Sequence, residues 1–261
     1  MRQIICCLAY DVKKFYNRLN FNHLWPWLSC RVAWPCTLCG DRIQVGKAGD
    51  AWLCQRCHQL LPWYQRPHCP QCAMPSPAGH LCGTCLQHPP AFDRTLAIFH
   101  YSYPLDHLLH QFKYQQHLAL GRLLTQLVLQ PLPTLTITPR PDMLIAMPMH
   151  RNRLQARGFN HAHALASDLA RQWQIPYGTE VCTRIKDTPM QAGLDMKTRT
   201  RNLRDAFSSD YPFAGQHVAV MDDVMTTGAS MHALARILKQ AGAAQVSAIV
   251  VARTLRASED R

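Results

Sequence analysis

From Thr95 onward, apolar positions fall into short continuous runs separated by stretches with helical spacing. Thr95 to Tyr103, bounded by Asp93 and Pro104, predicts a strand. Leu105, Leu108, Leu109 and Phe112 follow at i, i+3, i+4, i+7 and predict one face of a helix. His117 to Leu129 predicts a second helix, and residues 130–142, with prolines at 131, 133, 139 and 141, predict a loop. A strand is expected over Met143 to Met147, ended by Pro148. The polar stretch from Met149 to Asn160 reads as a loop, and a helix is expected from about His161 to Trp173. Val218 to Met221 is a further buried strand, followed by a helical period at Met231, Leu234, Ala235, Ile237 and Leu238. Val246 to Ala252 is the final strand. Strands alternating with helices predict an α/β fold with a parallel sheet.

Ligands of such sheets sit beyond the carboxyl ends of the strands. There the segment Val220-Met221-Asp222-Asp223-Val224-Met225-Thr226-Thr227-Gly228-Ala229-Ser230 places two carboxylates at a strand end and a hydroxyl- and glycine-bearing turn before a helix. Amide groups and the helix dipole favour a phosphate, and Gly228 lets the backbone approach it. Thr226 and Thr227 can donate hydroxyl hydrogen bonds, and paired acids can accept from a vicinal diol. The segment therefore predicts a site for a phosphorylated sugar. The plainer alternative is a strand–turn–helix in which Asp223 starts a turn and a Ser or Thr caps the helix.

Between residues 35 and 90 the pattern is different: few aliphatic residues, many prolines, and eight of the chain's 12 cysteines in four Cys-x-x-Cys pairs. These are Cys36/Cys39, Cys54/Cys57, Cys69/Cys72 and Cys82/Cys85. Each pair can present two thiolates to one tetrahedral ion, so four pairs predict two Cys₄ zinc sites. Sequential sharing (36/39 with 54/57, 69/72 with 82/85) is expected, with an interleaved brace as the alternative. A disulfide scaffold fits less well, because no secretory signal accompanies the pairs. The predicted organisation is an N-terminal extension over 1–34, a double zinc ribbon over 35–90, and a sheet domain over 91–257.

Charge adds one constraint. The formal net charge is +12, and the segment from Arg151 to Arg204 holds ten Lys or Arg against four acids. Such a balance favours polyanions and phosphorylated ligands over acidic proteins. No apolar run approaches the roughly 18–20 residues that span a bilayer. Ile4 to Tyr10 lacks a small-residue cleavage site, which argues against a signal peptide. The expectation is a cytoplasmic protein without stable membrane insertion. Phe15 to Trp34 could form an amphipathic helix against the chain's own core, a partner or a membrane.

The Asp222-Asp223 and Thr226-Thr227-Gly228 pattern resembles the 5-phosphoribosyl-1-pyrophosphate (PRPP) motif of type I phosphoribosyltransferases. The order of further motifs is similar to one family from about residue 35 to 254. After the cysteine pairs come Phe92-Asp93-Arg94, Phe112-Lys113-Tyr114, and Pro148-x-His150 with Arg157-Gly158-Phe159-Asn160. Asp187-Thr188-Pro189-x-Gln191, Arg199, and Asn202-Leu203-x-x-Ala206-Phe207 follow. This order resembles the ComF/GntX family, in which a double zinc ribbon precedes a type I phosphoribosyltransferase-like parallel sheet with helices on both faces.

The resemblance implies a role in natural transformation or use of extracellular DNA, with single-stranded DNA and PRPP or a related ribose phosphate as ligands. A helicase-like competence protein is an implied partner. Asp222 and Asp223 would hold the ribose hydroxyls, and Met225 to Ser230 would wrap the 5′-phosphate. His150, Arg151, Arg153, Arg157 and Arg199 would meet either pyrophosphate or nucleic-acid phosphate. Mg²⁺ would accompany PRPP. Phosphoribosyl transfer to an unidentified acceptor is the alternative activity, although no segment reads as a hood for a nucleobase.

Overall fold

The computed structural model describes residues 33–44, 52–114, 118–130, 139–187 and 205–255. The expected helix over Phe15 to Trp34 falls almost wholly outside the described residues. So do Thr188, Pro189, Gln191, Arg199, Asn202 and Leu203. The chain divides into two compact units, residues 1–61 and 62–261.

In the first unit, strand β1 (Ala33–Pro35) pairs antiparallel with β2 (Arg42–Gln44), and a short helix, α1 (Gln55–Gln59), follows. Among its described residues Cys36, Ile43 and Cys57 are buried, with Leu38, Leu53 and Cys54 packed against them.

The second unit begins with the remaining two cysteine pairs and a one-turn helix, α2 (Gly83–Gln87). The predicted alternation then appears in order. Strand β3 (Arg94–His100) leads to helices α3 (Leu105–Tyr114) and α4 (Leu118–Leu129). Strand β4 (Met143–Ala146) is followed by α5 (Arg151–Arg157) and α6 (His161–Trp173). Two-residue strands β5 (Tyr177–Gly178), β6 (Thr183–Arg184) and β7 (Phe207–Ser208) come next. Strand β8 (His217–Met225), helix α7 (Ala229–Gln240) and strand β9 (Gln245–Arg253) complete the unit.

Five strands form one sheet in the order β3-β9-β8-β4-β5, and every pairing is parallel. Consecutive residues of its central strands are buried, Val218 through Met221 and Val246 through Arg253 among them. Strands buried on both faces read as continuous apolar runs rather than alternating ones. On one face Val218, Val220, Val246, Ala248 and Val250 join Met231, Leu234, Ala235 and Leu238 of α7 in a single cluster. Their neighbours in sequence, Ala219, Met221, Ile249 and Val251, are buried on the other face, and α6 packs against β4 and β8.

Two elements differ from expectation. Strand β8 continues through the acid pair to Met225, with Asp222 opposite Val250 and Val224 opposite Ala252. The stretch read as a loop after Met149 contains α5, started by His150, whose Nδ1 accepts from the Asn152 amide at 3.3 Å. Gly158 closes α5 with φ +79°, the left-handed position that stops many helices.

Candidate functional site

The carboxyl edge of the sheet gathers the acid pair, the turn before α7, and groups from α3 and α6. Asp223 is buried, and its carboxylate faces three groups. Oδ1 accepts from the Val224 amide at 2.7 Å, and Oδ2 lies 2.5 Å from Lys113 Nζ of α3 and 3.4 Å from His161 Nε2 of α6. The other ring nitrogen of His161, Nδ1, lies 3.4 Å from Arg157 Nη1.

Asp222 is only half-buried, and one of its oxygens accepts the Asp223 amide at 2.9 Å. The two carboxyls are driven apart in acidity. Burial and the Asp223 charge push Asp222 up to about 7, while His161 and Lys113 overcome the burial of Asp223 and hold it below the carboxylate range. Asp223 is thus a fixed anion, and Asp222 is the member of the pair with acceptor capacity to spare.

The donors of His161, Asp222 and Asp223 lie within 4.8 Å of one another, a spacing that could suit a metal ion. The Lys113 ammonium already supplies a cation at Asp223 Oδ2, so the chain meets that need itself.

Beyond Met225 the chain turns through Thr226 and Thr227, both exposed, to Gly228 at φ +78°, which caps α7. Thr227 Oγ1 accepts from the Ala229 amide at 3.3 Å, leaving the Thr226 hydroxyl and the half-buried Ala229 and Ser230 around the helix start. A Cβ on Gly228 would meet nothing nearer than Phe92 Cζ at 3.6 Å, an ordinary contact, so the left-handed backbone is what requires glycine here.

The basic residues expected to meet phosphate are not all brought together. Arg157 belongs to the acid-pair network through His161. Arg153 and Asn152 instead converge on Asp187, whose carboxylate lies 3.5 Å from Arg153 Nε and accepts from Asn152 Nδ2 at 3.0 Å, with His150 Nδ1 3.5 Å away. An open cleft of about 460 Å³ is lined by Asn152, Arg153, Ala156 and Asp187. Arg151 is exposed on α5. Arg184 of β6 lies over the Phe207 ring, 5.6 Å from its centroid. Burial and Arg153 lower its basicity, while Asp187 and Asp222 oppose them, so this cation sits electrically between the two groups.

Several residues here were not assigned to the site from sequence. Lys113 stood in a recognised motif without a role, and His161 read only as a helix start. A lysine directly following the apolar face Leu105, Leu108, Leu109 and Phe112 was the available signal. Phe112 and Phe159, from two separate motifs, meet edge to face at 5.7 Å and set α3 beside the loop into α6. Asn160 caps α6 by accepting from the Ala162 amide at 3.0 Å and donates to the Met147 carbonyl at 3.1 Å. Those two contacts fix where His161 begins.

The eight paired cysteines form two groups, Cys36, Cys39, Cys54, Cys57 and Cys69, Cys72, Cys82, Cys85, each with its sulfurs within 4.8 Å of one another. This is the sequential arrangement. Cys39 and Cys54 sulfurs are 3.7 Å apart, and Cys72 and Cys82 sulfurs 3.6 Å apart. A disulfide needs about 2.05 Å, whereas sulfurs at about 2.3 Å from a tetrahedral zinc stand about 3.8 Å from each other. The donor sets therefore fit zinc. Burial works against the Cys36 and Cys69 thiolates, yet backbone amides, from Cys39 and Cys54 and from Cys72 and Cys82, bring each down to about 7.

The chain matches the double zinc ribbon domain over residues 30–86 and the phosphoribosyl transferase domain over residues 157–261. It is 36% identical over 225 residues to the DNA utilization protein YhgH of Shigella flexneri, covering 84% of this chain and 97% of that protein. It is 31% identical over 226 residues to competence protein F of Haemophilus influenzae, covering 84% of this chain and 96% of that protein. Competence protein ComFC of Bacillus subtilis matches at 32% over 114 residues, 43% of this chain and 45% of that protein.

Proposed function

The chain belongs to the ComF/GntX family of competence and DNA-utilization proteins, and on that premise we propose that it binds a ribose phosphate such as PRPP at the β8–α7 turn and single-stranded DNA across its basic surface. The observation that carries the reading is the arrangement at the end of β8. An ionised Asp223, paired with Lys113 and His161, fixes the strand end, and Asp222 offers acceptor oxygen beside it. A left-handed Gly228 then opens the helix start to an anion.

In this reading Asp222 accepts from the ribose 2′- and 3′-hydroxyls, and Asp223 holds the strand and Lys113 in place. The segment Val224 to Ser230 receives the 5′-phosphate through amides, hydroxyls and the α7 dipole. Arg151, Arg153 and Arg157 on α5 and Arg184 on β6 contact phosphates of a DNA strand, a sequence-independent interaction. Eight cysteines hold two zinc ions, which supply rigidity to the ribbons rather than chemistry. Cytoplasmic residence and docking to a helicase-like competence protein belong to the same proposal.

Calorimetric titration of ribose 5-phosphate and of PRPP with Mg²⁺ into the full chain tests the pocket. Heat of binding that vanishes in the Asp222→Ala/Asp223→Ala double variant supports it; no heat in the native protein rejects it. Gel shifts of single-stranded oligonucleotides in rising salt test the DNA part. Binding must weaken as log K falls linearly with log salt at about −0.7 per phosphate contacted, and salt-insensitive binding rejects it.

The cluster of Arg153, Arg184 and Asp187, in which Arg184 feels the charge of Asp222, favours a second reading, phosphoribosyl transfer. The C1–O bond to pyrophosphate would break and a bond from C1 to the acceptor would form as the acceptor loses its proton. Basic groups would stabilise the leaving charge, and Mg²⁺ arriving on the diphosphate would neutralise it further. Pyrophosphate release from PRPP in the presence of candidate bases or DNA ends distinguishes the two readings, since a binding protein releases none.

A further inference from the structure

Arg253, the last residue of β9, is 4% exposed at the carboxyl edge of the sheet. Its Nε donates to the carbonyl of Cys72 at 2.9 Å, inside the second cysteine group. Its Nη1 donates to the carbonyls of Met225 at 2.9 Å, of Thr254 at 3.0 Å, and of Thr226. One buried guanidinium therefore joins the second cysteine group to the first residues of the turn that follows the acid pair.

A second set of bonds runs alongside. Thr95 Oγ1 donates to the Gln71 carbonyl at 2.6 Å, and the Thr95 amide donates to the Pro70 carbonyl at 3.0 Å. Gln71 Nε2 donates to the Phe92 carbonyl at 3.1 Å, and the Phe92 ring lies against Gly228. Pro70, Gln71 and Cys72 all sit in the Cys69–Cys72 turn. That turn is shaped by the ion its thiolates hold, because metal sites of this kind couple binding to local folding.

We propose that Arg253 is a positioning residue that makes metal held by Cys69, Cys72, Cys82 and Cys85 and phosphate held at Met225 to Ser230 strengthen each other. The physical reason is the rigid, planar fork of the guanidinium, whose donors point in fixed directions. Displacing the Cys72 carbonyl either strands a buried N–H or draws the fork away from the Met225 and Thr226 carbonyls, and an unpaired buried donor is costly. Because coupling between two sites is reciprocal, the factor by which metal tightens phosphate is the factor by which phosphate tightens metal. The inference rests on the ribose-phosphate reading for its ligand.

The test uses the full zinc-loaded chain, ribose 5-phosphate as the probe, a chromophoric chelator to follow zinc loss, and hydrogen exchange read by peptide mass spectrometry. Saturating ribose 5-phosphate is expected to slow loss of one zinc per chain by about tenfold, within the usual range of coupling, and to lower exchange in residues 69–74. Arg253→Lys keeps the charge but loses the fork. It is expected to remove that protection and, without ligand, to raise exchange in 69–74 and 225–230 while residues 36–44 and 52–57 stay as in the native chain.

Unchanged exchange in 69–74 of Arg253→Lys overturns the inference. So does zinc loss that ignores ribose 5-phosphate when calorimetry shows the sugar bound. A native chain that binds no ribose phosphate overturns the functional reading instead, and the ligand-free comparison of Arg253→Lys with native protein then decides the tie on its own.

Discussion

Two adjacent carboxylates on one strand look equivalent in sequence, and their neighbours make them opposites. Asp223 is pinned by Lys113 and His161, whereas Asp222 is raised to about 7 by burial and by its charged neighbour. Protonated, Asp222 donates rather than accepts, so its capacity to take two ribose hydroxyls grows as pH rises through about 7. Asp222→Asn is expected to weaken ribose 5-phosphate at pH 8 by about 10- to 100-fold, the value of a charged hydrogen bond. It should also flatten the part of the affinity profile between pH 6 and 8 that phosphate ionisation leaves over; calorimetry across that range checks both.

The same group carries an opposite sign for stability. A carboxyl raised in the fold binds its proton more tightly there than in the unfolded chain, so stability falls as pH climbs from about 4 to about 7. Asp222→Asn should therefore be more stable than the native chain at pH 8 and similar to it at pH 4. Lys113→Met leaves the Asp223 anion buried with only His161 and one amide, and such losses cost about 3 kcal/mol. Thermal unfolding of this variant at pH 7 should show a clear drop, partly restored by Lys113→Arg. The acid pair and its turn were legible in sequence because their spacing is local. Lys113 and His161 were not, because α3, α6 and β8 bring them together only through tertiary packing.

Elements show the same division. Strands β3, β4, β8 and β9 and helices α3, α4, α6 and α7 announce themselves by continuous apolar runs or by a 3.6-residue period. Helix α5 does not: Leu154 is its one large aliphatic residue and is 41% exposed, so no buried stripe marks it. Its signals are a His150 cap and a Gly158 stop, which periodicity does not read. The end of β8 was also hidden, because acids usually close a strand, whereas here pairing with β9 carries the strand through them to Met225. That extension places Gly228 immediately where strand passes to helix, at a φ that L-residues adopt at a cost of about 1–2 kcal/mol. Gly228→Ala meets no backbone clash, so its effect is conformational. The expected outcome is a stability loss of about 1 kcal/mol in denaturant titration, with a larger proportional loss of ribose 5-phosphate affinity as the turn relaxes away from left-handed geometry.

At the scale of the whole molecule, the two units differ in what holds them. The sheet-bearing unit buries Phe92, Phe99, Phe112 and Phe213 together with central strands closed on both faces. Among the described residues of the first unit, the buried core residues are Cys36, Ile43 and Cys57, two of them cysteines of its own Cys₄ group. A core that rests on cysteines of a metal-ligating group draws its stability from the ion they hold. Cys₄ spacing in the sequence announced both clusters. That the second one lies in the unit of the sheet was not legible, because Arg253, Thr95 and Phe92 tie it there through contacts remote in sequence. Zinc is therefore expected at two per chain by elemental analysis, and its removal should act unequally. Chelation should bring residues 33–44 and 52–61 to the exchange rate of an unfolded peptide, while β3, β4, β8 and β9 keep their protection and only the 69–85 region of the second unit loosens. Restored zinc should recover all of it, since structural metal binding is itself folding free energy. Persistent protection at residues 36–44 and 52–57 in metal-free protein would show that the small apolar core suffices, and loss of the sheet on chelation would show that its stability depends on the second cluster.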